Sequence, residues 1–481
     1  MTAPNLLLIV FDTARADAFE PYGAPPGSSP AVAQLASAGA AAPLTHSTAC
    51  WTMPAHMSLL SGLLPRSAGF EPAGRMRDYR PQVARLGSRM LPAVLARAGY
   101  STLGLSTNMW VSRVTGFDGG FGEFEFVRGW RARKVSAQGL RTRAAWYLEA
   151  LRARVDDGAG ELAGRFEDWL RRSPPRPFFC FVNLVECHSP YLPPRPYNPL
   201  AAPDRVRAAY EARRYLNLSS IWKCSTGGFD VPEGAIARMR QLYSASVRQL
   251  DDWLARVLEA LDRQRLLGDT QVVVTSDHGE NLGEGRMLSH AFSLDERLLR
   301  VPLVTAGPGS LPPGGLASIR DLPAWLAGLA GLGEHPFPAL GPGPAVAQFD
   351  TPLSPGDPRV AQTLDAWRTP AGARDEVARR LTTSFDCATD GRLKLVRRHG
   401  GEELFDLEAD PLEERPAAVG EAEERRHGER LAALRGALAA ADAELGVARV
   451  GEGEGAPAEG QEPSPEELAQ LEAQMRMLGY L

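Results

Sequence analysis

The 481-residue sequence predicts an α/β protein built on a mostly parallel central sheet with helices on both faces. Three observations predict it. The runs Asn5–Phe11, Phe178–Leu184 and 271–275 are almost continuously apolar, without the alternation of a half-buried strand, as expected for strands covered on both faces. Segments with helical spacing separate them, which implies crossover connections between parallel strands. Each run also ends directly on polar residues, at the edge where open α/β sheets place their ligands.

The elements follow in chain order. A short helix is expected over 29–40, with Pro30 at its start and Gly39 near its end. A second helix is expected over 89–98, a strand over 100–106, a polar loop at 107–110 and an irregular stretch over 116–126. Residues 135–172 read as helical, as do 233–267, where Leu242, Val247, Leu250, Leu254 and Leu258 recur on one face. A strand at 301–306 and a helix at 319–332 complete this part. The Pro- and Gly-rich residues 334–375 read as a loop or linker. Three strands at 382–388, 393–397 and 403–407, separated by short turns, form an antiparallel meander, and a helix follows at 421–445.

The length implies more than one unit. Residues 1–345 form the expected catalytic domain and 346–450 a C-terminal α+β subdomain. Residues 451–463 are a Gly/Glu/Pro-rich flexible spacer, and 464–481 a docking helix opened by a capping box at Ser464 and Glu467. Copies of the chain could associate as a homo-oligomer through that helix. The composition, 44% hydrophobic and 23% charged, is that of a soluble protein. A net charge of −5 without lysine clusters argues against nucleic acid as a partner. The five cysteines show no metal-ligand pairing and read as reduced thiols in a cytoplasmic protein. The first apolar run lacks a basic flank and a cleavage site and is too short for a membrane span.

Three separate segments deliver chemistry to strand ends: Asp12-Thr13, Glu186-Cys187-His188, and Asp277-His278. Alone, Asp12 reads as a helix cap at least as readily as a ligand. On one sheet edge, the three segments converge. The stretch Thr52-Met-Pro54, followed by an apolar run to Gly62, reads as a loop turning into a helix. Thr52 then sits at the helix N-terminus, where free N–H groups and the macrodipole favour an anion. Asp12, Asp277, His278 and the Thr52 oxygen together make a mixed O/N ligand set. Such a set suits one divalent ion, Mn²⁺ or Zn²⁺ rather than Ca²⁺. The ion would lower the pKa of the Thr52 hydroxyl and make it a usable nucleophile.

The chain resembles the sulfatase family of the alkaline phosphatase superfamily. The resemblance rests on Asn5-Leu-Leu-Leu-Ile-Val-Phe-Asp-Thr-Ala-Arg-Ala-Asp17, Thr52-Met-Pro-Ala-His-Met-Ser-Leu-Leu-Ser-Gly62, His188-Ser-Pro-Tyr-Leu-Pro-Pro194 and Thr275-Ser-Asp-His-Gly-Glu280. His290 with Arg300-Val-Pro-Leu303, Asp390-Gly-Arg-Leu-Lys-Leu395 and Glu403-Leu-Phe-Asp-Leu-Glu-Ala-Asp-Pro411 extend it in the family's order over nearly the whole chain. It implies an alkaline-phosphatase-like fold and makes Asp12, Asp277 and His278 metal ligands, joined by Thr52. It places His188 and His290 as catalytic residues and, with His56 and Asn108, as contacts to the substrate's oxygens. Thr13 stands where many relatives carry a second acidic ligand, and His56 where they carry arginine. Thr52 occupies the position that sulfatases fill with a Cys or Ser converted to formylglycine; Cys50 is two residues out of register.

An unmodified threonine changes the chemistry. A formylglycine hydrate expels sulfate by re-forming its aldehyde, whereas a threonine ester must be cleaved by water at the transferred group. The reading is therefore a metal-dependent hydrolase of a small anionic phosphate or phosphonate ester. A sulfate esterase, a phosphotransferase and a noncatalytic binding protein stay open as alternatives. Lys394, in the meander, is assigned a surface role.

Overall fold

The computed structural model describes residues 3–73, 75–127, 129, 147–154, 156–398 and 401–448. The expected spacer and docking helix, and residues 135–146 and 155 of the expected 135–172 helix, lie outside them.

The larger sheet begins with β1 (Asn5–Phe11), β2 (Ala40–Ala41), β3 (Ser101–Ser106), β4 (Glu123–Phe126), β5 (Phe178–Leu184) and β6 (Thr270–Thr275). A ribbon of β7 (Asn281–Leu282) and β8 (Leu288–Ser289) follows, and β9 (Leu303–Ala306) returns to the sheet. The order is β2-β9-β6-β1-β5-β3-β4. Strands β6, β1, β5, β3 and β4 are parallel, while β9 runs antiparallel to β6. β1 lies at the centre because both of its faces are apolar. Leu6, Leu8 and Val10 enter one core layer, and Leu7, Ile9 and Phe11 the other. Each such fully buried side chain contributes about 1.5–3 kcal/mol. The first layer packs against helices Thr52–Ser61 and Leu322–Leu329, the second against helices Ala159–Arg171 and Glu233–Arg263.

The smaller sheet is antiparallel: β10 (Ala345–Phe349), β11 (Phe385–Thr389), β12 (Leu393–Arg398), β13 (Gly401–Asp406) and β14 (Ala417–Ala418), with helix Glu421–Ala448 on one side. It is joined to the larger body. The Gln348 N–H donates to Thr48 O at 2.9 Å, and Arg66 bridges Asp350 and Asp386.

Several expectations are corrected. Residues 116–126 are not wholly irregular: β4 pairs with β3, its Glu-Phe-Glu-Phe pattern being that of a sheet edge. Residues 334–375 are not a structureless linker. They contain β10, which pairs with β11, and helix Pro358–Ala366. The expected boundary at 345/346 falls at the first residue of β10. Helix Ala159–Arg171 starts afresh after the non-helical residues 153, 154 and 156–158. Helix Ala202–Tyr215 gives little apolar signal because Ala208, Ala209 and Ala212 form much of its buried face. Lys394 is not on the surface. Its side chain is fully buried, with Nζ donating to Leu294 O and paired with Glu413 at 2.9 Å and Glu296 at 3.3 Å.

Candidate metal and ester site

The carboxyl ends of four adjacent strands, β6, β1, β5 and β3, bring the site together. Asp12 follows β1, Asp277 and His278 follow β6, His188 follows β5 and Asn108 follows β3. The strand order turns at β1, whose neighbours β5 and β6 come from distant parts of the chain, so the site lies at a topological switch point.

Asp12, Asp277 and His278 are fully buried, and one ligand atom of each lies within 4.8 Å of the others. Ligands held at about 2.0–2.2 Å around one ion sit up to about 4.4 Å apart, so the cluster is the right size for a single cation. Its hydrogen bonding points the same way. His278 Nδ1–H donates to Gly279 O at 2.9 Å, which leaves the Nε2 lone pair without a partner. Asp12 Oδ1 and Asp277 Oδ2 are buried and unpartnered as well. Burial, followed by the neighbouring Asp277, pushes the Asp12 carboxyl far up, and burial pushes Asp277 up to about 7. Burial also lowers His278. Two acceptor carboxylates and a neutral imidazole with a free lone pair form a donor set suited to a divalent cation.

The polypeptide around these groups is over-determined. Thr13 adopts φ 59°, in the left-handed region that a β-branched residue avoids. It is held there on three sides. Its N–H donates to Asp277 Oδ1 at 3.2 Å, its hydroxyl to Asp12 O at 2.6 Å, and Tyr243 donates to Thr13 O at 2.9 Å. Ser47 Oγ donates to Asp277 O, and Ser276 Oγ donates to His278 O at 2.6 Å.

Thr52 is the first residue of helix Thr52–Ser61, buried, with Trp51 at the N-cap. It reaches the carboxylates through His56. Nδ1–H of His56 donates to Thr52 O at 3.0 Å and lies 3.4 Å from Asp277 Oδ2, while Asn183 Nδ2 donates to His56 Nε2 at 2.9 Å. Both ring nitrogens are used, and burial lowers the pKa of the ring to about 3. His56, expected to contact substrate, thus lies between the helix start and Asp277. Asn108, the other expected substrate contact outside the ligand set, is held against Asp12. Trp110 N–H donates to Asn108 Oδ1 at 2.8 Å, which turns Nδ2 to donate to Asp12 Oδ2 at 2.6 Å.

His188 and His290 do come together beside the ligands. Their ring centroids are 4.8 Å apart, and His290 lies 4.6 Å from His278. His188 Nδ1–H donates to Ser189 O at 2.8 Å and His290 Nδ1–H to Glu280 Oε1 at 3.0 Å, so each ring keeps Nε2 free of these bonds. Burial lowers the pKa of both rings, that of His188 to about 3. Glu280 was given no role from the sequence. It is fully buried, and burial raises its carboxyl to about 7. The alternation of the β7–β8 ribbon, which folds residue 290 back onto residue 280, was the faint signal for that pair.

A model of the sulfatase family matches residues 4–332, more than half of the chain. The chain belongs to the sulfatase family, within the alkaline-phosphatase-like superfamily. It is 31% identical over 247 residues to a choline-sulfatase of Rhizobium meliloti (strain 1021), covering 50% of this chain and 46% of that protein. It is 29% identical over 186 residues to the multifunctional alkaline phosphatase superfamily protein PehA of Trinickia caryophylli, covering 34% of this chain and 36% of that one. Both matches thus span less than half the length of the relative. Among solved structures, the phosphonate monoester hydrolase of Agrobacterium radiobacter superposes with a TM-score of 0.61 at 19% identity, covering 90% of this chain and 95% of the other. At that identity the likeness speaks for the fold.

Proposed function

We propose that this chain is a metal-dependent hydrolase that cleaves a small phosphate or phosphonate ester through Thr52. The observation that carries the reading is the link from Thr52 through His56 to Asp277, which ties an otherwise ordinary helix start to the ligand cluster. A divalent ion held by Asp12, Asp277 and His278, Mn²⁺ or Zn²⁺ by the chemistry of the donors, would lower the pKa of the Thr52 hydroxyl and offset charge on the transferred group.

The chain's own residues supply the rest. Oγ of Thr52, its proton released to water, attacks phosphorus in line, forming the Thr52 O–P bond as the bond from phosphorus to the leaving oxygen breaks. Helix N–H groups and the macrodipole behind Thr52 favour the anionic group. The free Nε2 edges of His188 and His290 face the remaining charge. Burial keeps both imidazoles neutral in the free protein, and an anionic ester raises their pKa values again, giving one of them the proton that the leaving oxygen takes. Water then attacks phosphorus and the Thr52 O–P bond breaks, restoring the hydroxyl. The five cysteines are buried free thiols, which suits the proposed cytoplasmic setting.

The test is turnover of p-nitrophenyl phosphate, phenylphosphonate and sulfate esters with Mn²⁺ or Zn²⁺. The expected result is faster cleavage of a phosphorus ester, lost by about a thousandfold or more in Thr52→Ala and partly kept in Thr52→Ser. Full activity of Thr52→Ala, or cleavage of the sulfate ester alone, would overturn the proposal.

A further inference from the structure

A second basic cavity lies apart from the ligand cluster. It is bordered by residues 151–154 and 156, the segment Pro194–Tyr197, the start of helix Ala159–Arg171 and the middle of helix Glu233–Arg263, and has a volume of about 860 Å³. None of its lining residues belongs to the site described above. A volume of this order accommodates a molecule the size of a disaccharide or a nucleotide.

The lining is one-sided in charge. Arg152, Arg154, Arg195 and Arg256 face a single carboxylate, that of Asp156. Arg256 is committed to Glu167 through two hydrogen bonds of 2.7 and 3.0 Å, and Arg152 lies 3.7 Å from Glu149. Arg154 and Arg195 have no side-chain partner among the described residues. Both oxygens of Asp156 are already engaged, accepting from Gly158 N at 2.8 Å and Gly160 N at 3.3 Å at the helix start. The walls are fixed: Arg195 N–H donates to Ala153 O at 2.8 Å, and the buried Arg205 holds Leu151 O at 2.8 Å.

An independent observation points to a ligand. Trp253, 5% exposed, lines the cavity, and its indole Nε1–H is buried without a hydrogen-bond partner. A buried indole donor normally finds an acceptor. Two uncommitted guanidinium groups on one cavity wall call for a ligand rich in acceptor oxygens, and Trp253 stands beside them.

We infer that this cavity is an accessory binding site for a polyanionic phosphate or sulfate compound, distinct from the ester site. Arg154 and Arg195 would clamp its tetrahedral anionic groups, Trp253 would report its arrival as a wall of the cavity, and Pro194 and Pro196 would border its uncharged part.

The experiment is a fluorescence titration of the full chain, loaded with Mn²⁺, using sodium tripolyphosphate and, separately, sodium sulfate at constant ionic strength. The expected result is a saturable change with tripolyphosphate that disappears in Trp253→Phe and is about tenfold or more weaker in Arg154→Ala/Arg195→Ala. Both arginines are exposed, so the double variant should fold, with the near-ultraviolet dichroism of the parent as the check. A saturable response to sulfate alone would assign the site to single sulfate groups and overturn the polyanion. The response should persist in Thr52→Ala, whatever becomes of catalysis there. No response, a response undiminished in the arginine variant, or one lost in Thr52→Ala would each overturn the inference.

Discussion

At the residue scale, buried polar atoms with and without partners define the site. Asn108 fixes one oxygen of Asp12 and leaves the other open. Asn108→Ala is therefore expected to weaken metal binding by about 10–100-fold without unfolding the protein, as for other groups that orient a ligand. Metal titration by calorimetry checks it, and an unchanged affinity would speak against the clamp. Protons compete for the same atoms. Asp277 stands at about 7 in the free protein because it is buried, so below that value an incoming ion must displace a proton. Affinity is expected to fall by about tenfold per unit as pH drops from 7 to 5, with protons released on binding, and to level off above 7 as far as Asp277 is concerned. A flat profile across this range would contradict the assignment. The gathering of Asp12, Asp277 and His278 at one sheet edge was legible in the sequence because the segments that carry them follow apolar strands. The roles of His56, Asn108 and Glu280 were not, because each depends on a hydrogen-bond partner far away in the chain.

At the element scale, strand ends and the loops that leave them matter more than any helix. The loop carrying Asp277 and His278 is pinned where Gly279 N–H donates to Leu298 O at 2.8 Å. A Cβ at Gly279 would lie 2.0 Å from Arg297 O, a backbone atom that cannot step aside cheaply. Gly279→Ala is expected to shift His278 and lower metal content per chain, measured by elemental analysis, while most of the helical dichroism survives. A fully metallated Gly279→Ala protein would contradict this. The same scale explains what the sequence hid. The strands 5–11, 178–184 and 270–275 are long, apolar and central, so their pattern survives in one dimension. β4 and β10 are short, at sheet edges and flanked by Gly and Pro, and only their partners β3 and β11 define them as strands. Helix Ala202–Tyr215 escaped because alanines bury without leaving an apolar stripe.

At the scale of the whole molecule, the small sheet is fastened to the large one by buried charge. Lys394, on β12, reaches Leu294 O, Glu296 and Glu413, and His46 completes the network with a 2.9 Å contact to Glu296. The neighbouring carboxylates hold the ammonium charged against its burial, and His46 and Lys394 hold Glu296 well below the usual carboxylate range. Removing the lysine strands two acidic groups in the interior. Lys394→Ala is expected to cost about 3–5 kcal/mol in urea unfolding, and the triple change Lys394→Met/Glu296→Gln/Glu413→Gln much less. Equal losses in the two variants would show that packing, not charge, makes the joint. No helix among the described residues is long and apolar enough to cross a membrane.

All three scales meet at Thr52, and one measurement addresses it most directly. The metal-loaded protein is mixed with a p-nitrophenyl phosphate or phosphonate ester, quenched in acid within the first turnovers, digested and mass-analysed. The account predicts a peptide containing Thr52 heavier by one phosphoryl or phosphonyl group, absent from Thr52→Ala. Rapid turnover with that peptide unmodified, or with the added group on another residue, would contradict it.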